Sequence, residues 1–197
     1  MLQGTLHTPD ATMRAYVEAV DAIVAAGHDP VATTRMVEQA AQNLIPSNYE
    51  VPAGLRTEYP SAVYTRNLVY SDPELRFAVV AIVWGSFRES RIHDHMNWCV
   101  VRCLAGTCFE TSYSIVDDAV CNGRAEVCVS GGRLLQQGGV LGIVPPPRAN
   151  LHRMANAGWP VLVTLHTYGD PGTRARVFDP VERSIEIVNL QFHNLLP

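Results

Sequence analysis

A chain of 197 residues, 47% hydrophobic and 17% charged, has the composition of a globular protein with enough apolar side chains for a sizeable core, not of a disordered or fibrous one. Its net charge of −4, with Lys and Arg scattered, argues against a nucleic acid or an anionic membrane as partner. The apolar runs, such as residues 77–84, are too short to span a bilayer.

The opening MLQGTLHTPDATMRAY lacks a basic stretch followed by an apolar one, so a cytoplasmic protein is expected. Five cysteines (Cys99, Cys103, Cys108, Cys121, Cys128) form no C-x-x-C pair, which fits reduced thiols rather than a disulfide framework or a zinc ribbon.

In chain order, two helices come first. Met13, Tyr16, Val17, Val20, Ile23 and Val24 recur at helical spacing over residues 11–26, with Thr8-Pro9 as the expected start and Gly27 as the stop. A second helix is expected over about 31–44, ending before Pro46. From Pro60 onward short β-rich runs alternate with turn clusters. Strands are expected at 62–69, 76–84, 98–104, 107–114, 124–129, 140–144, 151–155, 161–168 and 184–188. Asp72-Pro73, Asn122-Gly123, Gly131-Gly132 and Pro145-Pro146-Pro147 read as turns. The expected whole is a single mainly-β domain over 1–197: a helical extension at about 8–48, then a double-sheet barrel or jelly roll at about 60–190.

The chemistry concentrates around IHDH. His93 and His95 are two residues apart, so on a strand both imidazoles project from one face and can meet one metal ion. His152, on a later strand, supplies a third neutral nitrogen, and three such ligands leave further coordination positions open. By itself an H-x-H pair more often marks hydrogen-bonded core histidines. Asp94, between the two, should face the other way. Thr164, His166 and Tyr168 alternate along one strand and form a row suited to a hydrogen-bond relay, or else part of a barrel wall. Trp84 and Trp98 read as wall and core, and His7, His28 and His193 as incidental.

These motifs resemble those of the cupins. Gly85, His93, His95 and Gly106 match the first cupin motif, with Cys99 where an acidic ligand would stand. Pro147, His152 and Asn156 match the second, with Ala149 replacing a glycine. Without the acidic ligand, the set resembles the three-histidine iron site of the thiol dioxygenases, typified by cysteine dioxygenase. YTRNLV (Tyr64 to Val69), LHR and TLHTY resemble further segments of that family.

The resemblance implies one Fe(II) per chain held by His93, His95 and His152, and a catalytic group of Tyr168, His166 and Thr164. Arg66, with Tyr64 beside it, would hold the substrate carboxylate; Arg174 and Arg176 are weaker alternatives. It also implies a Cys99–Tyr168 thioether cross-link, against which Cys99 could simply be a small buried hydrophobe. The implied partners are a small thiol and dioxygen, and the implied state is a monomer or small homo-oligomer. The implied reaction oxidises a thiol carboxylic acid, L-cysteine foremost, to its sulfinic acid. The alternatives are 3-mercaptopropionate or another mercapto acid as substrate, a non-catalytic metal-binding cupin, or a cupin isomerase or lyase.

Overall fold

The computed structural model describes residues 5–6, 10–57, 59, 62–116, 123–144, 150–158 and 161–196. Helices α1 (Ala11–Ala25) and α2 (Pro30–Leu44) lie where their periodicity places them. The cap of α1 is Asp10, whose side chain accepts from the Met13 amide; Thr8 and Pro9 lie outside the described residues. Asp29 caps α2 in the same way, with Pro30 in its first turn. Neither helix is long and apolar enough to cross a membrane.

The strands are β1 (Thr5–Leu6), β2 (Tyr64–Ser71), β3 (Ala78–Trp84), β4 (Ile92–Asp94), β5 (Cys99–Ala105) and β6 (Thr107–Ile115). They continue with β7 (Val127–Gln136), β8 (Val140–Ile143), β9 (His152–Asn156), β10 (Leu162–Tyr168), β11 (Arg174–Asp179) and β12 (Ser184–Asn189). They form two six-stranded sheets, β1-β2-β3-β10-β5-β8 and β12-β11-β4-β9-β6-β7, in which the paired strands run antiparallel. From β3 to β6, and again from β8 to β11, each successive strand changes sheet. That weaving is the jelly-roll topology.

Three strand expectations need correction. Gly131-Gly132 is not a turn: β7 runs on to Gln136, pairing Gly132 with Thr111. A Cβ at Gly132 would stand 3.0 Å from the Phe109 ring, so glycine there permits a close approach of the neighbouring strand. β11 went unpredicted because its Arg-Ala-Arg-Val alternation follows directly on the turn residues Gly169 to Gly172. β4 was not separated as a strand, being only three residues long. The Asp72-Pro73 turn is present, with Asp72 accepting from the amides of Glu74 and Arg76. Asn122 and the Pro145–Pro147 run lie outside the described residues.

The first sheet is buried on both faces, which explains the unbroken apolar run AVVAIVW of β3. One face, through Val79, Ala81, Val100 and Leu165, packs on Tyr16, Val17, Val20, Val37 and Ala41 of the helical pair. The other, through Val80, Ile82, Val101 and Leu162, meets Cys108, Leu135 and Met154 of the second sheet. Arg102 pins α2 to β5. It is 2% exposed and donates to the carbonyls of Ile45 (2.7 Å) and Gly138 and to Gln42 Oε1 (3.0 Å). Arg102→Met keeps the aliphatic stem but strands these acceptors. The expected cost is about 1–3 kcal/mol, read from the midpoint of urea unfolding.

Candidate metal centre

β4 and β9 are neighbours in the second sheet with His93 opposite His152, and His95 follows β4 by one residue. The ligand atoms of the three histidines all lie within 4.8 Å of one another, and Nε2 of His95 is 3.1 Å from Nε2 of His152. Two bonds of about 2.1 Å at right angles to one metal would set two nitrogens about 3.0 Å apart, so the spacing suits cis ligands. Burial pushes the imidazolium form out of reach: it lowers the pKa of His93 to about 3 and that of His95 well below the ordinary value. Neutral imidazoles are the form a metal binds.

The surroundings aim the rings. His93 donates from Nδ1 to the Arg91 carbonyl at 2.9 Å, which leaves its Nε2 as a bare lone pair. Asn150 donates to the His95 carbonyl at 3.1 Å. Nδ1 of His152 is buried without a hydrogen-bond partner among the described residues, and Glu110 Oε1 lies 3.6 Å away, slightly long for a hydrogen bond. An orphaned ring nitrogen facing a carboxylate, behind a cluster of nitrogen donors, fits a site in which a bound cation draws the pair together. The residues present therefore can hold a metal ion.

Glu110 carried no sequence motif. It is 3% exposed on β6 and bound by Arg133 Nε (3.1 Å) and Ser112 Oγ (3.0 Å). Burial opposes its ionisation, but His152 and Arg133 outweigh burial and hold the carboxyl below its usual range. The available signal was an acid alternating with Cys108 on an otherwise half-buried strand. Glu110→Gln, which removes the charge at constant size, is expected to weaken metal binding about 10–100-fold in a chelator competition. Unchanged affinity would mean that Glu110 serves only Arg133.

Asp94 does point away from the histidines, as expected. It is neither solvated nor aimed at the cluster: it is buried and held by both Nε (3.0 Å) and Nη2 of Arg176. That pairing occupies Nε and Nη2 of Arg176.

On β10 the alternating row is joined end to end. Trp84 Nε1 donates to Thr164 Oγ1 (2.9 Å), Thr164 Oγ1 meets His166 Nε2 (2.9 Å), and His166 Nδ1 meets the Tyr168 hydroxyl (3.2 Å). Burial keeps His166 neutral. One proton arrangement leaves unpaired only the donor that borders the cavity. The Thr164 hydroxyl donates to Nε2, and Nδ1–H donates to the phenol oxygen, leaving the phenol O–H for the cavity. Trp84 is therefore more than wall.

Cys99 is the register partner of Tyr168, so the two share a face of the sheet. Its thiol is fully buried, and burial raises its pKa well above the ordinary value. Cys103 and Cys108 are likewise buried free thiols, raised by burial to about 11 and about 12. Cys128 is exposed on β7 and not part of the core, and Cys121 and His7 lie outside the described residues.

A cavity of about 440 Å³ joins these groups, lined among others by Tyr64, Arg66, Trp84, His93, His95 and Tyr168. Arg66 is 3% exposed. Nη2 donates to the Gly172 carbonyl (2.6 Å), while Nη1 is buried with no partner among the described residues. Tyr64 stacks at a tilt on Trp84, ring centroids 4.6 Å apart. Arg174 is exposed at the rim of the cavity. His193 is not incidental, since its Nδ1 accepts from the Arg66 amide at 3.0 Å.

Compared with known protein families, residues 23–181 match the model described as "Cysteine dioxygenase type I". The chain belongs to that family. Among curated members of the cysteine dioxygenase family, the chain is 29% identical to human "Cysteine dioxygenase type 1" over 133 residues, 66% of this chain and 63% of that protein. It is 31% identical to the Danio rerio protein of the same name over 118 residues, 59% of this chain and 56% of that one. The match thus spans less than two thirds of the length of these cysteine dioxygenase relatives. Solved structures that resemble it include an RmlC-like cupin protein from Ralstonia eutropha (12% identity, TM-score 0.46, 68% of this chain and 72% of that one). An oxalate oxidase in complex with the substrate analogue glycolate also matches (12% identity, TM-score 0.46, 64% and 62%).

Proposed function

We propose that this protein is a thiol dioxygenase that holds one Fe(II) between His93, His95 and His152 and oxidises L-cysteine to its sulfinic acid, RSH + O2 → RSO2H. The observation that carries the reading is that one cavity is lined both by His93 and His95 of the three-histidine cluster and by a buried guanidinium whose Nη1 has no partner among the described residues. The first suits a metal, the second a carboxylate, and a small thiol acid spans both. Membership of the family supports the same chemistry.

Iron would supply the redox centre at which thiol and dioxygen meet. The chain's own groups do the rest. Arg66 binds the carboxylate with Nη1 while Gly172 restrains Nη2, which fixes the orientation of the substrate backbone. Tyr168, its oxygen held by His166, which Thr164 holds in turn, directs its O–H toward the reacting end of the substrate. The Tyr64–Trp84 pair forms an apolar wall that limits water.

The register of Cys99 and Tyr168 supports a thioether between them, formed by a two-electron oxidation in which dioxygen takes one hydrogen from the thiol and one from the ring and leaves as hydrogen peroxide. Intact-protein mass spectrometry would detect the missing two hydrogens, and Cys99→Ser would abolish the difference.

3-Mercaptopropionate carries the same thiol and carboxylate and would engage Arg66 in the same way. The deciding experiment is oxygen consumption by the iron-loaded protein given cysteine, 3-mercaptopropionate or mercaptosuccinate, with products identified by mass spectrometry. A sulfinate from one of them fixes class and substrate. No uptake with any, iron content having been verified, sinks the dioxygenase reading in favour of a non-catalytic metal-binding cupin or an isomerase or lyase.

A further inference from the structure

β1 pairs with β2 at Tyr70 and Ser71, and among the described residues no strand pairs with the outer edge of β2 beside Arg66 and Leu68. Residues just beyond β12 take that place. His193 Nδ1 accepts from the Arg66 amide (3.0 Å). Asn194 closes a two-way bridge with Leu68, its Oδ1 accepting from the amide (2.8 Å) and its Nδ2 donating to the carbonyl (3.0 Å). Two consecutive side chains thus stand in for a strand. They bring Phe192 to the arginine: the guanidinium carbon of Arg66 lies 5.1 Å from the Phe192 ring centroid and 5.7 Å from that of Tyr168. With Nη2 tied to Gly172 and two rings within cation–π range, the direction of the unpartnered Nη1 is defined.

We infer that Phe192, fastened to the edge of β2 by His193 and Asn194, is a positioning residue that aims Arg66 and so sets the preference of the site for thiols bearing a carboxylate. The inference rests on the proposed function for its substrate class. It differs from that reading in assigning selectivity to a segment outside the metal motifs, one that touches Arg66 and not the metal cluster.

The test compares the iron-loaded full chain with Phe192→Ala and Phe192→Trp. Phe192 is half-buried, so the alanine variant is expected to fold, which circular dichroism checks. With a thiol acid that the unaltered protein oxidises, Phe192→Ala should raise KM roughly tenfold, the scale of one desolvated cation–π contact, with kcat little changed. Phe192→Trp should restore KM. With a thiol lacking a carboxylate, KM should not respond to either substitution. Anaerobic calorimetric titration with 3-mercaptopropionate supplies a readout that needs no turnover, and should show the same roughly tenfold weakening in Phe192→Ala. Equal affinity in the two proteins, or an equal rise in KM for both kinds of thiol, overturns the inference. Binding of the thiol acid without oxygen uptake by the unaltered protein would instead overturn the dioxygenase reading and leave the Phe192 comparison standing.

Discussion

Replacing His152 with alanine is expected to abolish metal binding and, with it, thiol-dependent oxygen uptake. A protein metal site worth about 10–16 kcal/mol over four ligands loses on the order of 3 kcal/mol per ligand, roughly a hundredfold in affinity. The loss at His152 is compounded because its ring stands between Glu110, at 3.6 Å, and His95, at 3.1 Å. Elemental analysis after dialysis measures the outcome directly. His152 is 2% exposed, so a misfolded variant would give the same reading. His93→Ala controls for this, since His93 is only partly buried and the sheet should tolerate its loss. Metal retained at full stoichiometry in both variants would mean that the three-histidine cluster is not the site.

Replacing Arg66 with alanine is expected to raise KM for a thiol acid about a hundredfold or more. The charge-assisted hydrogen bond from Nη1 and the positive charge beside it are together worth about 3 kcal/mol in a desolvated cavity. Nη1 has no hydrogen-bond partner among the described residues, which lowers the obstacle to binding a carboxylate there. Arg66→Lys should recover only part of the effect, since an ammonium keeps the charge but not the planar fork. Steady-state kinetics with and without a substrate carboxylate measures this. An unchanged KM in Arg66→Ala would move the carboxylate site elsewhere in the cavity, where Arg91 and Arg174 also line the wall.

Much of this was legible from residue spacing. The helices were readable because their apolar faces repeat at 3.6 residues, and the inner strands because they are unbroken apolar runs between turn residues. A period of two puts His93 and His95, and likewise the β10 row, on one face before the fold is known, whereas the roles of Arg66 and of the row rest on the resemblance of YTRNLV and TLHTY to family segments. Glu110 and Phe192 were not legible. Each acts through a partner distant in sequence, Glu110 through His152 and Phe192 through Arg66, and only the sheet pairing brings those partners together. Asp94 was legible in direction but not in fate, since Arg176 lies on a strand that the sequence did not reveal. The glycines of β7 misled because a close strand approach and a turn select the same residue.

One strand of the first sheet is written in two scripts at once. Along β10 the even positions Thr164, His166 and Tyr168 face the cavity, whereas Val163 and Leu165 pack under the helices and Thr167 bonds to Tyr16 at 2.6 Å. A slip of one residue would exchange the scripts, putting valine and leucine into the cavity and imidazole and phenol beneath apolar helix. The Tyr16–Thr167 bond, made by a helix that never touches the histidine cluster, therefore acts as a proofreader of the strand's frame. The helical pair guards the chemistry from the far side of the sheet.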